Sequence, residues 1–170
     1  VLEIPVEAAA RTMALGRKHG VRTILNPAPA VELSTKILGN IDFLTPNETE
    51  LRVLMGLRPD DSSQTEVLAR RLHQQGVGTV VVTMGEKGAM IVTDDEVMVV
   101  PAVKVNVVDT TGAGDAFNAG LAMALAEGRS LIEAVQFANC AGALACTKLG
   151  VIPGLARYEA VESAFITNYI

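Results

Sequence analysis

The sequence predicts an α/β fold: a mostly parallel sheet covered by helices on both faces, with an antiparallel hairpin at one edge. Three observations carry this. Strand-like and helix-like segments alternate along the chain, the pattern of a sheet layered with helices. Thr79–Thr83 (TVVVT) is a continuous apolar run, the texture of a strand buried on both faces of a parallel sheet. Residues 89–93 and 96–100 flank Asp94-Asp95, as the arms of a hairpin flank its turn. A length of 170 residues suits one domain with its own core, since domains span roughly 50–250 residues.

The elements follow in order. Residues 1–4 read as the end of a strand. Pro5 suits the first turn of a helix, where its missing N–H costs nothing, and residues 7–18 are rich in helix formers up to a stop at Gly20. Residues 22–25 (RTIL) form a short β-type run broken by Asn26-Pro-Ala-Pro, and residues 41–44 form another that ends at Thr45-Pro46. Asn47 with Glu50 three residues on is a capping-box arrangement, and Ser63 with Glu66 repeats it before a helix ended by Gly76. Beyond the hairpin a β-leaning stretch extends to Val108. Then DTTGAGDAF leads into an alanine-rich helix ending near Gly128, Ser130 and Glu133 cap the next helix to about Lys148, and residues 159–169 form a last amphipathic helix.

Composition excludes several classes. Hydrophobic residues make up 49% and mean hydropathy is +0.34, which excludes a mainly disordered chain. No apolar run reaches the ~18 residues of a membrane span. Nineteen acidic against fourteen basic residues, a net charge of −5, argue against nucleic acid, whose phosphates need clustered Lys and Arg. Cys140 and Cys146 sit in an apolar alanine-rich stretch at a spacing unlike zinc or redox motifs, so they read as buried thiols in a reducing compartment. His19 and His73 fit helix C-termini and receive no catalytic role.

Chemistry concentrates in residues 107–121, VVDTTGAGDAFNAGL. Gly112 and Gly114 open a helix and expose successive backbone N–H groups; with the positive end of the helix dipole these make an anion site suited to phosphate. Asp115 lies in the same turn. A carboxylate beside an anion site repels a ground-state phosphate, so a general base that takes the proton from an attacking alcohol explains it better than packing does. The competing explanation is that Asp115 caps the helix. The run is neither the G-x-G-x-x-G dinucleotide fingerprint nor a P-loop, which ends in Lys-Ser/Thr.

Four blocks in the same order resemble the ribokinase-like, or PfkB, family of carbohydrate and nucleoside kinases: residues 25–30 (LNPAPA), 45–50 (TPNETE), 83–88 (TMGEKG) and 109–117 (DTTGAGDAF). The resemblance implies a three-layer α/β/α fold and the C-terminal, nucleotide-binding portion of a kinase over residues 1–170, with the sugar-binding half and β lid of the family preceding Val1. It implies an ATP-dependent sugar kinase of the ribokinase branch, acting on a primary hydroxyl such as O5 of D-ribose. The alternatives are a family kinase for a ketose, a deoxyribose or a nucleoside, or, for the chain in isolation, a non-catalytic nucleotide-binding module.

By the same resemblance Asp115 is the catalytic base and also meets the sugar, and the amides of Gly112, Ala113 and Gly114 form the anion hole. Asn47, Glu50, Thr83, Gly85, Glu86, Lys87, Gly88, Gly114 and Asn139 fall on nucleotide-binding positions, with Glu50 serving Mg²⁺ through water. Glu3 falls on a sugar contact. Asp109, which has no obvious capping partner in the sequence, and the carbonyls of Thr111, Ala145, Lys148 and Gly150 match a monovalent-cation site, usually for K⁺. The chain departs from the family at Gly154, where a serine ligand is common. A cytoplasmic homodimer, with no membrane or nucleic-acid partner, completes what the resemblance implies.

Overall fold

Good helix formers behind Pro5 make the first element, α1 (Val6–Lys18), which stops two residues before Gly20. In the computed structural model, which describes residues 3–170, eight α-helices and five strands follow the predicted alternation. The strand end expected over residues 1–4 lies partly outside the described residues; Glu3 and Ile4 form an exposed bend. By their contacts the described residues through Met84, with Met90–Val99, form one compact unit, and Gly85–Ala89 with Val100–Ile170 form another.

The first unit carries the sheet, in the order β1 (Ile24–Leu25), β2 (Phe43–Leu44), β3 (Thr79–Thr83), β4 (Ala89–Val92), β5 (Val97–Val100). β1, β2 and β3 are parallel, with Leu25 opposite Leu44 and Leu44 opposite Val80. Residues 84–88 and 93–96 link the last three strands. Both links are far shorter than the roughly dozen residues a parallel crossover needs, so β4 runs antiparallel to its neighbours. Leu25, Leu44, Val80 and Val82 pack into one apolar cluster with Met13 of α1, Leu51 of α3 (Glu48–Leu54) and Leu68 and Leu72 of α4 (Thr65–Gln74). Val81 and Ile91 lie outside that cluster and are also fully buried, which explains why the strands read as unbroken apolar runs.

Two expectations need correction here. The Ser63–Glu66 capping box does not form: α4 starts two residues later, behind Gln64, with no side-chain cap. Competing partners take that segment, since the Ser63 amide donates to Asp61 Oδ1 at 2.8 Å while Glu66 pairs with Arg70. The β-leaning stretch up to Val108 is not a strand. Residues 101–108 are irregular, Val107 and Val108 are exposed, and the Val108 and Asp109 amides donate to the Cys146 carbonyl instead of to a neighbouring strand. Two single-turn helices, α2 (Thr35–Leu38) and α7 (Val151–Gly154), are too short to show a period in sequence. His73 lies in the last turn of α4 as expected, and its Nε2 is 3.0 Å from Asp94 in the hairpin turn.

The second unit is built on α5 (Ala113–Ala126), α6 (Leu131–Ala145) and α8 (Tyr158–Tyr169). The Ser130–Glu133 capping box starts α6 as predicted. Small residues bring α5 and α6 together: a Cβ on Gly120 would sit 3.0 Å from the Ala141 methyl and 3.1 Å from Ala138 Cα. Arg129 ties α8 down. Its guanidinium lies over the rings of Phe137 and Phe165, 4.6 and 5.0 Å from their centroids, and donates to Glu162 at 2.6 Å and Glu127 at 3.1 Å. Cys140 and Cys146 are free thiols; burial pushes Cys140 up to about 11, so it stays protonated and inert. Among the described residues no helix is long and apolar enough to cross a membrane.

Candidate active site

In the first unit, the carboxyl ends of three parallel strands deliver the polar residues to one edge of the sheet, where ligands of open α/β sheets bind. Asn26 follows β1, Thr45-Pro46-Asn47 follows β2, and Thr83 closes β3. The Thr83 amide donates to the Pro46 carbonyl at 2.9 Å, and Thr83 bridges Asn47. Asn47 then starts α3 with a complete capping box: its Oδ1 accepts from the Glu50 amide and its own amide donates to Glu50 Oε2, both at 2.8 Å. Two acceptor-rich oxygens are only partly used by this cap, so the pair retains capacity for another ligand. Asn26 was legible only as a motif letter. Its Oδ1 is buried without a hydrogen-bond partner, an unfavourable state for an acceptor, and an Asn before Pro at a strand end is the sequence signal that marks it.

Glu50 is half-buried, and burial raises its carboxyl above the ordinary glutamate range, with the Asn47 amide pulling the other way. A carboxyl raised on folding stabilises the fold at pH values below its unfolded pKa of about 4.3, and that contribution is lost as pH rises through the folded value. Glu50→Gln keeps the capping box, because glutamine serves it equally. The variant should therefore match or exceed the parent's Tm at neutral pH, and the difference should vanish in acid. Thermal melts across that pH range check this; a lower Tm at neutral pH would show that α3 needs the carboxylate itself.

In the second unit, Gly85–Lys87 form a 3-10 turn with Glu86 and Lys87 exposed. Gly88 closes it by donating to the Gly85 carbonyl at 3.0 Å, and is buried against the backbone of residues 100–102.

The N-terminus of α5 holds the turn expected to bind an anion, and one of its expected amides is already engaged. Gly112 is its N-cap in the left-handed conformation (φ 80°), a position where any other residue would be strained. The Ala113 amide donates to the Thr110 carbonyl at 3.2 Å. The amides left without an acceptor among the described residues are those of Gly112, Gly114 and Asp115. Gly114 has no packing reason to be glycine, since a Cβ there would meet nothing within 4 Å. Open space beside unpaired amides is what close approach of a phosphate requires. Asp115 does not cap: α5 has no side-chain cap, and its exposed carboxylate makes no hydrogen bond among the described residues. It is a charged group held at a helix N-terminus and left uncommitted.

Asp109, which shows no obvious capping partner in the sequence, accepts three hydrogen bonds from two residues. Its Oδ1 accepts from the Thr111 hydroxyl at 2.7 Å and amide at 2.9 Å, and its Oδ2 accepts from the Gly150 amide at 2.9 Å. The Thr111 hydroxyl, its amide and the Gly150 amide hold the Asp109 carboxyl below the usual range. One acceptor place on Oδ2 remains. The carbonyls of Thr111, Ala145 and Lys148 receive no hydrogen bond among the described residues, whereas that of Gly150 accepts from the Gly154 amide at 3.2 Å. Carboxylate and carbonyl oxygens are the hard donors that a cation preferring oxygen ligands takes. The glycine at 154 has its own reason: it is buried, and a Cβ would lie 2.5 Å from the Ala145 carbonyl oxygen. No group of three or more His, Cys, Asp or Glu gathers among the described residues. Mg²⁺, which keeps several waters and shares substrate phosphates, fits a single carboxylate such as Glu50 better than a protein cage.

Asn139 is buried on α6, and its amide group donates to the carbonyls of Val100 at 3.3 Å and Pro101 at 3.1 Å. Glu3 is exposed.

The profile of the pfkB family of carbohydrate kinases matches residues 1–157. A ribokinase of Haemophilus influenzae is 37% identical over 162 residues, covering 95% of this chain and 53% of that protein. A deoxyribokinase of Salmonella typhi is 46% identical over 117 residues, covering 68% of this chain and 38% of that protein. The structure of Arabidopsis thaliana ribokinase complexed with ribose and ATP superposes with a TM-score of 0.88 at 32% identity, over 96% of this chain and 53% of that one. The chain thus spans about half the length of the ribokinases it matches. The family match over nearly the whole chain leads to one conclusion: the chain belongs to the pfkB family of carbohydrate kinases.

Proposed function

We propose that the complete protein is an ATP-dependent sugar kinase of the ribokinase type, and that this chain supplies its base, its anion hole and its nucleotide loops. The observation that carries this is the uncommitted Asp115 carboxylate beside the unpaired amides of Gly112, Gly114 and Asp115, with open space at Gly114. Asp115 takes the proton of a primary sugar hydroxyl as that oxygen attacks the γ-phosphorus. The bond from the γ-phosphorus to the β,γ-bridging oxygen breaks, and ADP leaves with its electron pair. The amides and the α5 dipole hold the charge that builds on the transferring phosphoryl oxygens. Ala113 belongs to this turn as its spacer, with its amide on Thr110.

Gly85, Glu86, Lys87 and Gly88 of the second unit serve the nucleotide, as do Thr83, Asn47 and Glu50 of the first, the last two serving its phosphates. Glu50 holds Mg²⁺ through water, which when bound neutralises phosphate charge. Asp109 with the carbonyls of Thr111, Ala145, Lys148 and Gly150 holds a monovalent cation, K⁺, whose positive charge supports the anion hole. Glu3 contacts the sugar. The protein works as a cytoplasmic homodimer, and its two unpaired thiols suit that reducing setting.

The Arabidopsis structure with ribose and ATP favours D-ribose, converted to D-ribose 5-phosphate. The 46% identity to a deoxyribokinase supports deoxyribose as the second candidate. A phosphorylation assay of the complete protein against pentoses, a deoxypentose, hexoses and nucleosides, with ATP and Mg²⁺, decides between them. Turnover is expected with ribose or deoxyribose; turnover confined to nucleosides, or none with any alcohol, would overturn the assignment.

A further inference from the structure

The last helix bears on the nucleotide loop in a way no motif indicates. Tyr169, at the end of α8, donates its hydroxyl to the Pro101 carbonyl at 2.6 Å. Asn139 of α6 donates to the same carbonyl at 3.1 Å and to that of Val100 at 3.3 Å. Two side chains from different helices therefore grip the backbone where β5 ends, at Val100 and Pro101, the start of the stretch 100–102.

Gly88 is packed against that same stretch. A Cβ on Gly88 would run into the Val100 carbonyl oxygen, 2.6 Å from the Ala102 nitrogen and 2.7 Å from the Pro101 carbonyl carbon. The Gly85–Gly88 turn thus has a backbone seat, and the position of the seat is set by donors from α6 and α8. Tyr169 is itself held. Its ring lies 6.1 Å from that of Phe165, the Arg129 guanidinium lies over the rings of both Phe165 and Phe137, and Arg129 bonds Glu162 on α8. The family match ends at residue 157, before α8 begins.

We propose that Tyr169 and Asn139 are positioning residues for nucleotide binding, a two-donor clamp on the Pro101 carbonyl that fixes the seat of the Gly85–Gly88 loop. The clamp presupposes the nucleotide role assigned above to that loop. Asn139 then serves the nucleotide through backbone, its amide donors being spent on carbonyls rather than on the base.

Tyr169→Phe removes one hydroxyl and leaves the ring on Phe165. In the complete protein it should raise the KM for ATP and the Kd for ADP by roughly 3- to 10-fold, the worth of one hydrogen bond. kcat should stay within about twofold and the sugar KM should not change, because the change removes binding shared by ground and transition states. Asn139→Ser, which cannot span the same distance to both carbonyls, should act in the same direction, and the double variant should be less than additive because both donors grip one carbonyl. A Tyr169→Phe protein with the parent's ATP and ADP affinities overturns the clamp alone. A fall in kcat with unchanged ATP KM overturns it too. If the parent protein itself binds neither ATP nor ADP, the nucleotide assignment of the loop falls and the clamp with it.

Discussion

Asp115→Asn in the complete protein should lower kcat by about two to four orders of magnitude, the range a positioned general base contributes. The rest of the molecule should scarcely register the change. Among the described residues the Asp115 carboxylate makes no hydrogen bond and caps nothing, so its loss removes its interaction with the α5 dipole, ~0.3–1 kcal/mol. ATP affinity should hold or improve slightly, because a negative charge beside the phosphate site is removed. Steady-state kinetics, an ATP titration and a melt on the same preparation make the test. A near-normal kcat with a distinctly lower Tm would identify Asp115 as structural and remove the base from the mechanism.

Gly88→Ala should be the most damaging single methyl group in the chain. Gly88 has φ +95° and the atoms its Cβ would strike are all backbone, with no flexible side-chain end to swing away. Backbone strain and overpacking together should cost at least about 3 kcal/mol, which at this chain length is a fall of roughly 6–12 °C in Tm. Gly85→Ala is the control within the same turn. Its φ of +58° is also left-handed, yet a Cβ there meets nothing within 4 Å, so only the conformational cost of about 1–2 kcal/mol applies. Melting both variants side by side separates close approach from conformational freedom; equal losses would show that the seat on residues 100–102 is not tight.

What could be read before the structure was local in its physics. The Asn47–Glu50 and Ser130–Glu133 boxes were legible because both partners lie within one turn of chain. The same spacing misled at Ser63–Glu66, where Asp61 captures the Ser63 amide, and no spacing rule counts competitors. Residues 101–108 look like strand because Val is β-branched, but they have no neighbouring strand to pair with, a property of topology rather than composition. The carboxylate of Asp109 hides one partner for a related reason: Gly150 is 41 positions away. Gly114 and Asp115 were recognisable as a chemical pair, whereas the diversion of the Ala113 amide to Thr110 depends on backbone angles that the letters do not carry. The clamp on Pro101 draws on Tyr169, 68 positions along the chain, and on a helix face that only packing defines.

The close contact of α5 with α6 has a bearing on when order is established. Gly120 against Ala138 and Ala141, and Gly142 with Ala113 O 3.2 Å from where its Cβ would be, leave these helices little freedom to slide or roll. The turn that holds Gly112, Gly114 and Asp115 is the first turn of one of them. Its backbone is therefore oriented during folding, and under the proposed mechanism an arriving phosphate would meet donors already aimed, without having to arrange them in each catalytic cycle. Small residues in a helix seam, unremarkable as composition, would then move the entropy of assembly from every turnover to a single event in the life of the chain.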